Sequence, residues 1–275
     1  MAIEITEFAN VSIAVSPTGV TSGNFGILGF LTSDSDLNIA GKGILPAERA
    51  RSYTSLLSVS NDWQASSEVY KAATAFYGQT PTPTDFLVKV CYESSQPATL
   101  TGGGSDTAAE LISATWNGSG VLNMIIDGNA VAITDLDVSG AATSDYAGIA
   151  AEIEVVIDAI VAGATVVHNG YQFVISGVTN GSLGSITAPA GTDATVALGI
   201  ATQSASISQG IDPETPVDSL AATLAKGIED VGLVTHKKWR DVVGVATGSS
   251  TTDIAIWAEA AKRIFCNTTN DLTTL

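Results

Sequence analysis

The sequence predicts an α/β core domain, a mixed sheet with helices, that carries an inserted, acidic, hairpin-rich α+β domain. Three observations predict it. Both ends of the chain alternate apolar β-like runs with capped, striped helices, the order of an α/β sheet. The middle holds an Asp-Gly and an Asn-Gly dipeptide between apolar runs, a mark of hairpins. From Cys91 to Ala225 there is no Lys or Arg, yet that interval holds 14 of the 28 acids. Such a step in composition signals a boundary and leaves the flanks nearly balanced. The expected division is an extended N-terminal arm over 1–19, a discontinuous core domain over 20–96 and 211–275, and the insert over 97–210.

The first flank starts extended. IEITEF alternates Ile3, Ile5 and then Phe8, and VSIAV and FGILGFL follow as apolar β-like runs. In SEVYKAATAFYGQTPTPTDFLVKV, Val69, Ala72, Ala73 and Phe76 fall at i, i+3, i+4 and i+7, one apolar helical face. Gly78 is placed to end that helix in a left-handed conformation. Pro81 and Pro83 cannot continue it. Phe86, Val88 and Val90 then share one face of a strand.

The second flank repeats this grammar. In ETPVDSLAATLAKGIEDVG, Thr215 caps, Pro216 suits the first helical position and Asp218 completes a capping box. Val217, Leu220, Ala221, Leu224 and Ile228 are its expected buried stripe. DVVGVATG reads as a buried strand, and Ser250 with Asp253 opens a helix lined by Ile254, Trp257, Ala258 and Ala261. Lys262 and Arg263 favour its C-terminal dipole, and RIFCN leaves it as a strand.

The middle differs. LNMIIDGNAVAIT places Asp127-Gly128 between apolar runs, as a two-residue type I′ turn requires, and TVVHNGYQFVIS does the same around Asn169-Gly170. Between them Ile149, Ile153, Val156 and Ile160 stripe a helix whose other positions hold Glu152 and Asp158.

Composition narrows function. With 45% hydrophobic and 14% charged residues the chain is globular. Its net charge of −17 argues against nucleic acid, since phosphate contacts need Lys and Arg. Cys91 and Cys266, far apart in sequence, read as buried thiols. MAIEITEFANVS lacks the apolar core of a signal peptide, and no stretch approaches the ~18 apolar residues of a membrane span. The expectation is a soluble protein made in a reducing cytosol.

No motif carries chemistry. His168, expected opposite Tyr171 at a hairpin end, has no second histidine nearby in sequence. DGNAVAITDLD lacks the ligand alternation, glycine and closing glutamate of a calcium loop. GGGSD lacks the lysine of a phosphate loop and reads as a flexible connection, and no GxSxG elbow is present. HKKWR is the one basic cluster: Lys237, Lys238 and Arg240 form a solvated turn or make ionic contacts with a neighbouring subunit. The chain is therefore expected to be no enzyme and to need no cofactor or metal.

RARSYTSLLSVSNDW (Arg49 to Trp63), SSEVYKAATAFYGQTPTP (Ser66 to Pro83), an insert, ETPVDSLAATL (Glu214 to Leu224) and WAEAAKRIFCNTTND (Trp257 to Asp271) together resemble contractile tail sheath proteins of myophages. The likeness is to the short-sheath branch formerly classed as a family of unknown function. It spans nearly the whole chain, and its motifs are packing signatures. It implies a structural subunit that stacks in hexameric rings around a tail tube, between baseplate and tail terminator. Contraction drives the tube through the host envelope by rigid-body motion of bistable contacts. The implied location is the virion, after synthesis in the bacterial host cytoplasm, with neither nucleic-acid binding nor membrane insertion. Terminal arms add strands to neighbouring sheets, which makes Ile3, Ile5 and Phe8 subunit-interface candidates, as are Lys237, Lys238 and Arg240. Family members continue well past the strand that spans Arg263 to Asn267, so this chain is expected to be C-terminally incomplete and mainly monomeric. The alternative is a tail decoration or host-adhesion protein. That protein would form a closed oligomer and bind a host glycan, whereas a sheath fragment is expected to do neither.

Overall fold

The structure, a computed structural model, describes residues 27–39, 42–80, 82–104, 106–142, 145–228, 230, 232–239, 251–262 and 264–266. It is a mixed α/β fold. The arm over 1–19, with Ile3, Ile5 and Phe8, lies outside the described residues, as do Arg240, the run DVVGVATG, Ser250 and Arg263.

The apolar run LGFLTS forms β1 (Leu28–Ser33), buried after its first residue. β2 (Ala50–Tyr53) and the short α1 (Leu56–Ser60) follow. α2 (Glu68–Tyr77) opens at Ser67, whose hydroxyl accepts the Tyr70 N–H at 3.0 Å, and it buries Val69, Ala73 and Phe76. Gly78 is not left-handed as expected: its φ is −76° and its N–H still reaches Thr74 O at 3.0 Å. A bond from Gln79 N–H to Phe76 O, 3.3 Å, tightens the last turn instead and meets an orphan carbonyl without a left-handed residue. β3 (Phe86–Cys91) is buried throughout; Phe86, Val88 and Val90 face α2, and Cys91 faces the opposite side.

The middle begins with β4 (Pro97–Gly102) and α3 (Ala108–Ile112), then β5 (Gly120–Ile126) and β6 (Asn129–Leu136). Asp127 (φ 50°) and Gly128 (φ 80°) make the expected type I′ turn, with Ile126 opposite Asn129. α4 (Tyr146–Asp158) buries Ile149, Ile153 and Ile157. Val156 is only half-buried and Ile160, past the helix end, is 43% exposed, so the true stripe runs along i, i+4, i+8. The hairpin of β7 (Thr165–His168) and β8 (Phe173–Asn180) also departs from expectation, because His168 pairs with Phe173 and not Tyr171. Asn169 Oδ1 accepts the N–H groups of Tyr171 (3.0 Å) and Gln172 (2.9 Å), which widens the turn to four residues. α5 (Asp193–Ala197) and β9 (Ser206–Ser208) complete the segment. Gly102 and Gly104 serve close packing, not a flexible connection: a Cβ on either would lie 2.0 Å from Gly199 O or 1.9 Å from Ala197 O.

α6 (Pro216–Ala225) has the predicted Thr215–Asp218 capping box with Pro216 in its first turn. Its buried face is Pro216, Ser219, Leu220 and Thr223; Ala221 is exposed, and Val217, Leu224 and Ile228 are half-buried. The bond from Ser219 Oγ to Val90 O (2.8 Å) turns this face to β3, and within the helix Thr223 Oγ1 donates to Ser219 O (2.8 Å). β10 (Gly232–Thr235), a 3-10 turn (Lys237–Trp239), α7 (Thr251–Ala260) and β11 (Ile264–Cys266) end the described chain.

The main sheet has the order β11-β10-β1-β3-β2, parallel except for the β2–β3 pair. It therefore takes strands from both ends of the chain. A second sheet runs β7-β8-β4-β9, and β5-β6 stand apart. Gln96 and Ile211 pair across a β-bridge where the chain leaves the main sheet and returns to it. Residues 98–200 supply one apolar cluster, while the two clusters on either face of the main sheet draw their buried residues from 30–92 and 220–254. Among the described residues no helix is long and apolar enough to cross a membrane.

Candidate functional site

The parallel strands reverse their order about β1, since β3 lies on one side of it and β10 on the other. In such sheets ligands sit outside the carboxyl ends of the strands at the reversal. The residues there already engage one another. Glu93, just past β3, accepts hydrogen bonds from Ser33 Oγ and Lys238 Nζ, and from Trp239 Nε1 at 3.2 Å. Asp34 takes the Ser94 N–H (3.1 Å) and hydroxyl, and Asp36 takes the N–H groups of Glu68 and Val69 (both 3.1 Å) at the start of α2.

The predicted contact residues Lys237 and Lys238 belong to this edge. Both are paired within the chain, Lys237 with Glu68 at 2.8 Å and Lys238 with Glu93. Hydrogen bonds from Lys237 and then Lys71 hold the Glu68 carboxyl at a pKa of about 2. His236 accepts the Lys238 N–H at 3.1 Å on Nδ1, and burial lowers its pKa. His168 stacks on Tyr146 (centroids 4.5 Å apart) and accepts the Gly170 N–H; burial, then Lys42, lowers its pKa.

A second group was missed by sequence reasoning. Arg51, on β2, grips Glu48 with two bonds (2.7 and 2.6 Å) and reaches Asp62 at 2.8 Å and Lys42 O at 3.0 Å. The fully buried Asp62 also accepts the Tyr53 hydroxyl at 2.9 Å, which in turn accepts Trp63 Nε1 at 2.9 Å. Burial alone would lower the Arg51 pKa, but Glu48 and Asp62 raise it above its ordinary value; burial and then Asp62 raise Tyr53. Tyr171, at the β7–β8 tip, lies against this group: its ring centroid is 5.1 Å from Lys42 Nζ and 5.5 Å from Arg51 Cζ. Between the main sheet and the hairpin tip opens a cleft of about 540 Å³. One signal was available in the sequence: an arginine one residue from Ala50 and two from Tyr53, as in RARSY, calls for a partner once that strand is packed.

DGNAVAITDLD also has a structural use. Burial would raise the Asp127 pKa, but the N–H groups of Thr179 (2.8 Å), Ser185 (2.9 Å) and Val178 (2.7 Å) lower it overall. Among the described residues no cluster of His, Cys, Asp or Glu has the grouping of a metal site. Cys91 is buried, which pushes its thiol pKa up.

What fold and site define is thus a mixed α/β protein whose charged groups at the strand ends are held in internal pairs, with a polar cleft between the main sheet and the β7–β8 tip. No protein-family model matches the chain, and no curated protein matches it in sequence.

Proposed function

We propose that the chain is a structural subunit of a phage contractile tail sheath, polymerising around the tail tube in hexameric rings. One observation carries this: the segments that resemble sheath proteins on either side of the insert meet in one main sheet, to which they supply the strands β2 and β11 and the helices α1, α2 and α6. The finer organisation follows. Residues 20–96 and 211–275 act as the core domain, and 97–210 as an insert tied at the Gln96–Ile211 bridge. The insert sits at large radius on the sheath's outer surface, where like-charged copies are furthest apart. β11 is the outer described strand of its sheet, with Ile264 62% exposed, and supports strand addition from a neighbour. Lys237 and Lys238 contact neighbouring subunits after exchanging their internal carboxylates.

Electron microscopy of the purified product of the complete gene tests the proposal. Ordered tubes are the expected result, retained when 97–210 is replaced by a short Gly/Ser linker. A closed, non-polymerising oligomer overturns the proposal and favours a tail decoration or host-adhesion protein. The polar cleft is the observation that favours this second reading.

A further inference from the structure

The cleft between the main sheet and the β7–β8 tip falls, at about 540 Å³, inside the roughly 300–1,000 Å³ range of small-molecule sites. Both sides contribute polar groups: Glu48, Arg51 and Asp62 from one, Thr101, Gln172 and Ser206 from the other. We propose that this cleft binds a neutral saccharide of one or two rings.

Charge selects against the alternatives. Arg51, the one cation among the lining residues, is held by Glu48 and Asp62 and takes both Glu48 oxygens (2.7 and 2.6 Å). A phosphate would meet no free base, and an amine would have to displace Arg51 from Glu48.

Hydrogen-bonding capacity then points to hydroxyls. Asp62 is fully buried beneath the cleft, where Arg51, Tyr53 and Tyr171 take up its oxygens, so the groups that meet a ligand are those above it. Among the described residues the Gln172 amide and the Ser52 and Ser206 hydroxyls take no protein partner through their side chains. A primary amide and two hydroxyls match vicinal hydroxyls, which both donate and accept. Tyr171, 60% exposed at the rim, adds an amphipathic ring for sugar C–H groups.

The inference does not rest on the sheath proposal, and it departs from the expectation that a sheath fragment binds no glycan. Calorimetry and saturation-transfer NMR of the whole chain would use glucose, galactose, N-acetylglucosamine and their disaccharides, with inorganic phosphate and spermidine as charged probes. At least one neutral sugar is expected to saturate with Kd near or below about 1 mM, and Gln172→Ala to weaken it at least about tenfold while circular dichroism stays unchanged. Ser206→Ala, which removes one lining hydroxyl, is expected to weaken it as well. Three results would overturn the inference: no neutral sugar saturating below about 20 mM, tighter binding of either charged probe, or undiminished binding by Gln172→Ala. Tube formation is read separately, so a failed titration with intact tubes removes only the saccharide site.

Discussion

The two regions satisfy their carboxylates differently. Around the main sheet most acids pair with bases, Lys89 with Asp230, Arg49 with Glu214, Arg51 with Glu48 and Asp62, Lys238 with Glu93, while Asp34 and Asp36 accept backbone N–H groups. Between β4 and β9 there is no Lys or Arg, and acids accept backbone N–H groups. Asp127 holds three, Asp145 caps α4 through Gly148 (2.8 Å), and Asp158 holds Gly163 (2.6 Å). Glu154 accepts the Val166 N–H at 2.7 Å, which closes part of the β7 edge against further pairing. A segment without cations can thus be strongly acidic and still ordered, because backbone donors at turns, caps and edges stand in for lysine and arginine.

This contrast can be broken most severely at Lys89. The Lys89–Asp230 pair, 2.7 Å apart, is 1% exposed on both sides. Lys89→Ala leaves a buried carboxylate without its lysine and is expected to cost about 3–5 kcal/mol. Urea unfolding followed by the flank tryptophans Trp63, Trp239 and Trp257 would measure it, and a loss below about 1 kcal/mol would deny the pair its structural role. In the middle the comparable loss comes from an apolar residue: Ile153→Ala is expected to cost about 2–5 kcal/mol, read from Trp116.

Asp127→Asn sharpens the comparison, since Asn still tolerates the left-handed turn while the charge on three N–H groups is lost. The expected cost is about 1 kcal/mol, allowing for solvent screening at this half-buried group. A neutral result would mean that turn geometry alone holds the hairpin.

Acid should find both devices. A carboxyl whose folded pKa is depressed contributes stability above its unfolded pKa, and loses it as pH falls through the folded one. For Glu68 the window runs from 4.5 down to about 2; Asp127 has the same sign. The urea midpoint should therefore fall across that window, and less steeply in Lys237→Ala. Equal slopes would remove Lys237 from the account.

The smallest effect is that of salt. Lys237–Glu68 is exposed, so Lys237→Ala is expected to cost no more than about 1 kcal/mol at low salt and nothing at about 1 M. Asp127→Asn should keep most of its cost under the same salt, because short carboxylate–amide bonds are less screened.

Local chemistry was legible in the sequence. The type I′ turn at Asp127-Gly128 needs two left-handed residues in a row, and the Thr215–Asp218 capping box needs only residues three apart. Faces were legible where neighbours are purely apolar, as for Val69, Ala73 and Phe76. They were misread where a polar side chain found a distant acceptor: Ser219 reaches Val90, 129 positions away, and turns α6 off its apolar stripe. Asn169 misled in the same way, since Asn-Gly specifies a two-residue turn only while its side chain leaves the backbone alone.

By itself the sequence determined the alternation of elements, the turn and caps closed within a few residues, and the cation-free middle. Only the tertiary structure decided which strands flank β1 and that Arg51, Asp62 and Tyr171 meet around one cleft. The physical reason is range. Turns, caps and stripes are set by φ/ψ preferences and bonds over three or four residues, whereas Tyr171 and Asp62 are 109 positions apart and meet only after both sheets have formed.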